Sequence, residues 1–212
     1  MILTLNEWQH CIKNTNDIIV QASAKNGSDG WQPFPIGMHY SYGKCNKDSI
    51  QIGPHHTTVL LSIVTNTDQY RRCVGINRRV ILDNLRKNNI LNVLDRSTYF
   101  EKLPTYKFVI SPEGNGIDCH RHYEALFAGC IPIVEYNAII EEKYKGCPIL
   151  YTTDYSEITE EYLLQKYKEM IDETYDFSRL FLSYYDIAMQ KTIKECGNFW
   201  MRKLTNKVWY PP

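Results

Sequence analysis

From residue 58 onward the chain alternates short apolar runs with amphipathic stretches. Residues 58–64 (TVLLSIV) are continuously apolar and rich in β-branched side chains, the pattern of a strand buried on both faces. Residues 77–87 place Val80, Ile81 and Leu85 on one face of a helix, with Arg78, Arg79 and Arg86 around it. Residues 90–94 read as a second strand and 106–110 (YKFVI) as a third. A helix over 118–128 follows, stopped by Gly129. Residues 131–135 (IPIVE) and 148–151 (PILY) read as a fourth and a fifth strand. Strand and helix in alternation predict an α/β fold built on a parallel, doubly wound sheet.

The flanks differ. Before residue 58 the pattern is irregular: a short helix over 3–12, a short buried strand over 17–22, and loops over 26–30 and 40–54 around an extended 31–37 (WQPFPIG). After residue 155 it is helical. Leu163, Leu164, Tyr167, Met170 and Ile171 share one face, and Phe181, Tyr184, Ile187 and Ala188 another that Lys191 closes. The expected organisation is therefore an N-terminal segment 1–57, an α/β domain 58–155, and C-terminal helices 156–212 packing on the sheet.

Charge and cysteine usage narrow the function classes. A formal net charge of zero argues against non-specific binding to nucleic acid or acidic membranes, which needs a basic excess. Seven Cys, scattered and without CxxC spacing, suit free thiols in a reducing compartment better than a disulfide framework or a zinc site. Residues 1–17 lack a basic stretch followed by an apolar core, and no apolar run is long enough for a membrane span. The expectation is a cytoplasmic protein. Its 16 Tyr suit a surface that stacks on sugar rings, although an aromatic core would use them as well.

One segment carries chemistry. Residues 108–134 read as strand, Gly-rich loop, helix, Gly stop, strand. In open α/β sheets ligands bind at the carboxyl ends of strands, which is where Ser111, Glu113, Gly114, Asn115 and Gly116 fall. Glycines let backbone N–H groups approach an anion, and the following helix turns its positive end to the same point. Asp118, Arg121 and Glu124 lie on its first turns, Arg121 and Glu124 on one face. Arg121 offers fixed donors for phosphate oxygens, and Glu124 can accept from ribose hydroxyls. His120, nearest the loop, is a candidate for phosphate or sugar, ahead of His122. Arg71, Arg72, Arg78 and Arg79 follow the first strand of the domain, and Arg78 or Arg79 is expected to face the diphosphate.

The string SPEGNGIDCHRHYEALFAGCIPIV (111–134) resembles the donor-binding motif of exostosin-like glycosyltransferases and their viral and bacterial relatives. That family shows S-P-x-G, an Arg, an E-A-L stretch and G-x-I-P-I-V. The likeness is dense over 106–135 and weaker from 58 to 155. It implies a Rossmann-like, GT-B-type donor half binding a UDP-sugar. Ser111, Gly114, Asn115, Gly116 and Arg121 would lie near the diphosphate and Glu124 near the ribose. It also implies inversion by direct displacement, with no metal and no cofactor beyond the donor. WQPFPIG resembles the family's junction between acceptor and donor domains. The stretch before Trp31 is far shorter than an acceptor domain, so the acceptor side is expected to be reduced, supplied by a partner chain or a second copy, or lost.

The catalytic base must come from outside the donor motif. Asp29, in a Gly-flanked loop beside Trp31, is the first candidate, with His39 and His55 behind it. Adjacent His55 and His56 point in different directions and lack acidic neighbours, which speaks against a metal site. The expected function is transfer of a sugar from a UDP-sugar to a glycan or glycoprotein hydroxyl. Xylose or another neutral sugar is preferred, since no second basic cluster awaits a sugar carboxylate. The alternative is a non-catalytic module that binds nucleotide-sugar or glycan, or partners a fuller transferase. An NAD oxidoreductase fits poorly, because the loop is not G-x-G-x-x-G and sits late in the domain.

Overall fold

The computed structural model describes residues 1–11, 17–19, 36–39, 41–42, 57–61, 76–114 and 116–205. The chain begins with β1 (Ile2–Leu3) and α1 (Leu5–Cys11). Next among the described elements comes β2 (Thr57–Leu60), where Val59 and Leu60 are buried. Helix α2 (Arg78–Lys87) starts at Asn77, whose side chain accepts from the Arg79 N–H, and buries Ile81 and Leu85. A short α3 (Tyr99–Lys102) and a 3-10 turn (Leu103–Thr105) lead into β3 (Tyr106–Ile110). Then come α4 (His120–Phe127), β4 (Ile131–Glu135), α5 (Ala138–Lys143), β5 (Leu150–Thr152) and α6 (Glu160–Met170). The chain continues through β6 (Tyr175–Asp176) to α7 (Ile187–Thr205).

Strands β2, β3, β4 and β5 form one parallel sheet in that order. Phe108 lies opposite Val59 on one side and Ile131 on the other, and Ile133 lies opposite Leu150. Phe108, Val109, Ile110, Ile131, Ile133 and Val134 are fully buried, which is why these runs carry no polar alternation. The fold is α/β and compatible with a Rossmann-like sheet. The strand order runs in one direction, however. Among the described strands there is no reversal of order.

Three sequence expectations need correction. Residues 90–94 form no strand. Ile90 is buried and the Asn92 carbonyl accepts from Leu61 N–H, but Leu91 and Val93 are exposed; β-propensity without burial of the apolar side chains does not make a strand. Helix α4 begins at His120 and not at 118, because Cys119 is extended (φ −145°, ψ 155°) and Asp118 is held elsewhere, as described below. Residues 181–188 share no helical face: two 3-10 turns (Ser178–Leu180 and Leu182–Tyr184) precede α7, and Ile187 is 85% exposed. At the other end of α4 the expectation holds, since Gly129 takes φ +74° and ends the helix.

The N-terminal and C-terminal segments close on each other beside the sheet. β1 pairs antiparallel with β6. Trp8 stacks on Phe177 with ring centroids 4.0 Å apart, and its indole N–H donates to the Leu126 carbonyl at 2.7 Å. Ile18 makes a single bridge to Phe181 where a strand over 17–22 was expected; residues 20–22 lie outside the described ones. Helix α6 reaches the sheet edge, where the Thr58 hydroxyl donates to Glu160 at 2.8 Å. Among the described residues no helix is long and apolar enough to cross a membrane.

Candidate functional site

Beyond the carboxyl ends of β3 and β4 the segment 111–119 crosses toward α4. Its first residue prolongs the sheet, with Ser111 N–H donating to the Ile133 carbonyl at 2.9 Å. Two side chains from other elements then hold the loop. Glu135, the last residue of β4, accepts from Glu113 N–H at 2.6 Å with one carboxylate oxygen and from Ile76 N–H at 3.0 Å with the other. From α2, Arg78 donates through Nε and Nη2 to the Glu113 carbonyl (2.9 and 2.6 Å) and through Nη2 to that of Pro112 (3.3 Å). Gly114 N–H turns inward to the Gly116 carbonyl at 2.9 Å. A Cβ on Gly114 would lie 3.4 Å from that of Cys119, so the loop rests closely on the residue that opens α4.

This geometry changes what the loop can offer. The N–H groups of Ser111, Glu113 and Gly114, expected to face an anion, are engaged within the protein. Asn115 lies outside the described residues. The unengaged donors shift to the start of α4, where Cys119 occupies the N-cap and no side chain caps the helix. Uncapped first-turn N–H groups and the helix dipole favour an anion there.

Asp118 is fully buried and faces the protein interior. One oxygen accepts from the Tyr144 hydroxyl at 2.7 Å; the other accepts from Ile36 N–H at 3.1 Å and pairs with the Lys143 ammonium. Burial alone would raise its pKa, but Lys143, His122 and Tyr144 outweigh burial and hold the carboxyl below its usual range. Its work is to fix the approach to α4.

Side chains from the first turns of α4 converge on α3 and on residues 37–39. His120 Nδ1 lies 2.7 Å from the Gly37 carbonyl. A carbonyl only accepts, so this nitrogen carries the proton and Nε2 keeps its lone pair. Burial lowers the His120 pKa against the pull of Gly37 and Asp118, leaving a neutral ring. His39 packs edge-on against it at 5.6 Å and has the opposite tautomer, since its Nδ1 accepts from Ser41 N–H at 3.3 Å. Burial, with His120 and Arg96 nearby, brings the His39 pKa down to about 4.

Arg121 and Glu124 meet at Tyr99. The guanidinium lies over the Tyr99 ring, 5.9 Å from its centre, and the Tyr99 hydroxyl donates to Glu124 at 3.2 Å. Glu124 is buried, and burial raises its pKa against the opposing effects of Arg121, Tyr99 and the His39 backbone. The buried Arg121 Nε has no hydrogen-bond partner among the described residues.

The structure thus gathers Ser111, Glu113, Gly114, Gly116, Asp118, His120, Arg121, Glu124 and Arg78 around the β3–α4 connection. Arg79 is exposed on α2, and its N–H is engaged by Asn77; of the two arginines, Arg78 is the one whose described contacts reach the loop. Asp29, His55, Arg71 and Arg72 lie outside the described residues. Sequence reasoning missed Tyr99, Lys143, Tyr144 and Glu135. Only Glu135 had a local signal, a carboxylate ending an apolar run at the carboxyl edge of a parallel sheet. Among the described residues no three His, Cys, Asp or Glu side chains group closely enough to hold a metal ion. Neither a protein-family model nor a curated protein matches this chain.

Proposed function

We propose that this chain is the donor-binding half of a GT-B-type glycosyltransferase of exostosin-like character. It would move a sugar from a UDP-sugar, preferably a neutral one such as xylose, to a glycan or glycoprotein hydroxyl in the cytoplasm. The observation that carries the reading is Arg121: a permanently charged side chain with a buried donor lacking a partner among the described residues, beside the uncapped N-terminus of α4. A buried donor of this kind calls for an acceptor, and a diphosphate supplies one with matching charge.

On this reading the β-phosphate of the leaving UDP gains its second negative charge against Arg121 and the α4 terminus, without a metal. Glu124, oriented by Tyr99, accepts from the ribose hydroxyls. Arg78 and Glu135 hold the loop at the height the diphosphate needs. Displacement at the anomeric carbon requires a base for the acceptor hydroxyl and gives inversion. His120 lies inside the donor motif, where no base was expected, but its Nε2 lone pair, set by the Gly37 carbonyl, meets that chemical requirement. His39, protonated at Nε2, does not. Asp29 is the second candidate, and a partner chain or second copy would complete the acceptor side.

Calorimetric titration with UDP and then a panel of UDP-sugars, without added metal, tests the reading. Binding that is lost in Arg121→Ala and Glu124→Ala supports it, and slow hydrolysis of one UDP-sugar names the donor. Binding without turnover on any acceptor favours a nucleotide-sugar-binding module, consistent with a loop whose N–H groups are already engaged. A folded chain that binds no nucleotide overturns both.

A further inference from the structure

Cys119 stands apart from the other described cysteines. It occupies the N-cap of α4 with its residue only half-buried. Its sulfur lies 3.4 Å from Nδ1 and 3.7 Å from Nε2 of His122, 3.8 Å from the Ser111 hydroxyl and 3.8 Å from the Pro112 carbonyl. His122 is completely buried, and its Nδ1 also lies 2.7 Å from Ser111 Oγ. A thiol, an imidazole and a hydroxyl therefore meet directly beneath the 111–116 loop.

Burial alone would raise the Cys119 pKa, but His122 and Arg121 outweigh burial and bring it below its ordinary value, against Asp118. Lys143 and Tyr144 also face the thiol from α5 and the turn after it. Burial would lower the His122 pKa, but Cys119, Asp118 and the Ile117 carbonyl raise it instead. Each group thus favours the charged form of the other, and the contact of 3.4 Å between them is the geometry by which an imidazole activates a thiol. Elsewhere burial raises the thiols: Cys147 to about 12, with Cys130 and Cys196 also moved upward.

We propose that Cys119 is a peroxide-reactive cysteine, activated by His122 and oxidised to the sulfenic acid. The sulfur attacks one oxygen of hydrogen peroxide. An S–O bond forms as the O–O bond breaks, and the departing hydroxide takes the His122 proton to leave as water. Sulfur loses two electrons and peroxide gains them.

The test is chemical labelling of the whole chain with peptide mapping, which also separates Cys11, Cys45 and Cys73. In native protein treated with one equivalent of peroxide, dimedone should mark Cys119 and leave Cys130 and Cys147 unmarked. The iodoacetamide rate at Cys119 should rise clearly less between pH 6.5 and 8.5 than the about fifty-fold gain of an ordinary thiol. His122→Asn should restore the ordinary rise; if that variant does not fold, the wild-type profile decides. A Cys119 that stays unlabelled, or follows the fifty-fold rise, overturns the proposal. Labelling needs no nucleotide, so its outcome is independent of the proposed function.

Discussion

Lys143 and Asp118 form an ion pair inside the protein, with side chains only 3% and 0% exposed. The pair joins the end of α5 to the approach to α4, and Asp118 also receives Tyr144 and Ile36. Removing one partner from a buried pair leaves an uncompensated charge, which costs about 3–5 kcal/mol. Lys143→Met should therefore destabilise the fold by about that much in urea unfolding at pH 7. The double variant with Asp118→Asn should recover a large part of the loss. A single variant within 1 kcal/mol of wild type would show that the charges are solvated and the geometry is not as described.

Tyr99 links the two side chains assigned to the nucleotide. Tyr99→Phe keeps the ring beneath Arg121 but removes the hydroxyl that orients Glu124. We expect UDP to bind about three- to tenfold more weakly, the effect of losing one hydrogen bond, with thermal stability nearly unchanged. Affinity equal to wild type would separate Glu124 from ribose recognition.

Glu135 uses both oxygens to hold two backbone N–H groups, one of them in the loop. Glu135→Gln keeps the shape but leaves one acceptor oxygen and no charge. Charged hydrogen bonds contribute about 1.5–3 kcal/mol each. The loop should loosen, with faster amide exchange at Glu113 and roughly tenfold weaker UDP binding. Unaltered exchange at Glu113 would mean the carboxylate is not what fixes the loop.

The depressed pKa of His39 gives a pH signature. In the unfolded chain His39 protonates near its ordinary pKa of 6.5, whereas in the folded protein it does so near 4. Its neutral form is favoured by folding, so its contribution is present above pH 6.5 and is lost progressively as pH falls to 4. His120, also lowered, adds in the same direction, and His122, raised, opposes it. Unfolding free energies at pH 7, 5.5 and 4 should fall less steeply in His39→Gln than in wild type. Parallel profiles would refute the assignment. The Asp118 contribution is lost only at lower pH, through protonation below the usual carboxylate range.

Which features the sequence revealed follows from where each interaction lies along the chain. β3 and β4 were legible because both faces of each strand are largely buried, so only Lys107 interrupts the apolar runs YKFVI and IPIV. Gly129 was legible because its positive φ is a local requirement. Arg121 and Glu124 were found together because their spacing places them on one face of α4. The start of that helix was misplaced because Asp118 answers to Lys143 and Tyr144, well downstream, and not to helix N–H groups. Residues 90–94 misled because propensity says nothing about whether apolar side chains such as Leu91 and Val93 will be covered. Tyr99 gave no signal, since only the fold carries it to Glu124.

The pairing of β1 with β6 bears on how the protein is made. Ile2 and Leu3 find their partners at Asp176 and Tyr175, and Trp8 finds its stacking surface at Phe177. On a ribosome adding ~5–20 residues per second, the first segment waits on the order of ten seconds or longer before these partners exist. During that interval Leu5 and Trp8, both fully buried in the finished protein, are without their final cover. Residues 2–8 are thus made long before they can be fixed, and they are the natural segment for a nascent-chain chaperone to hold.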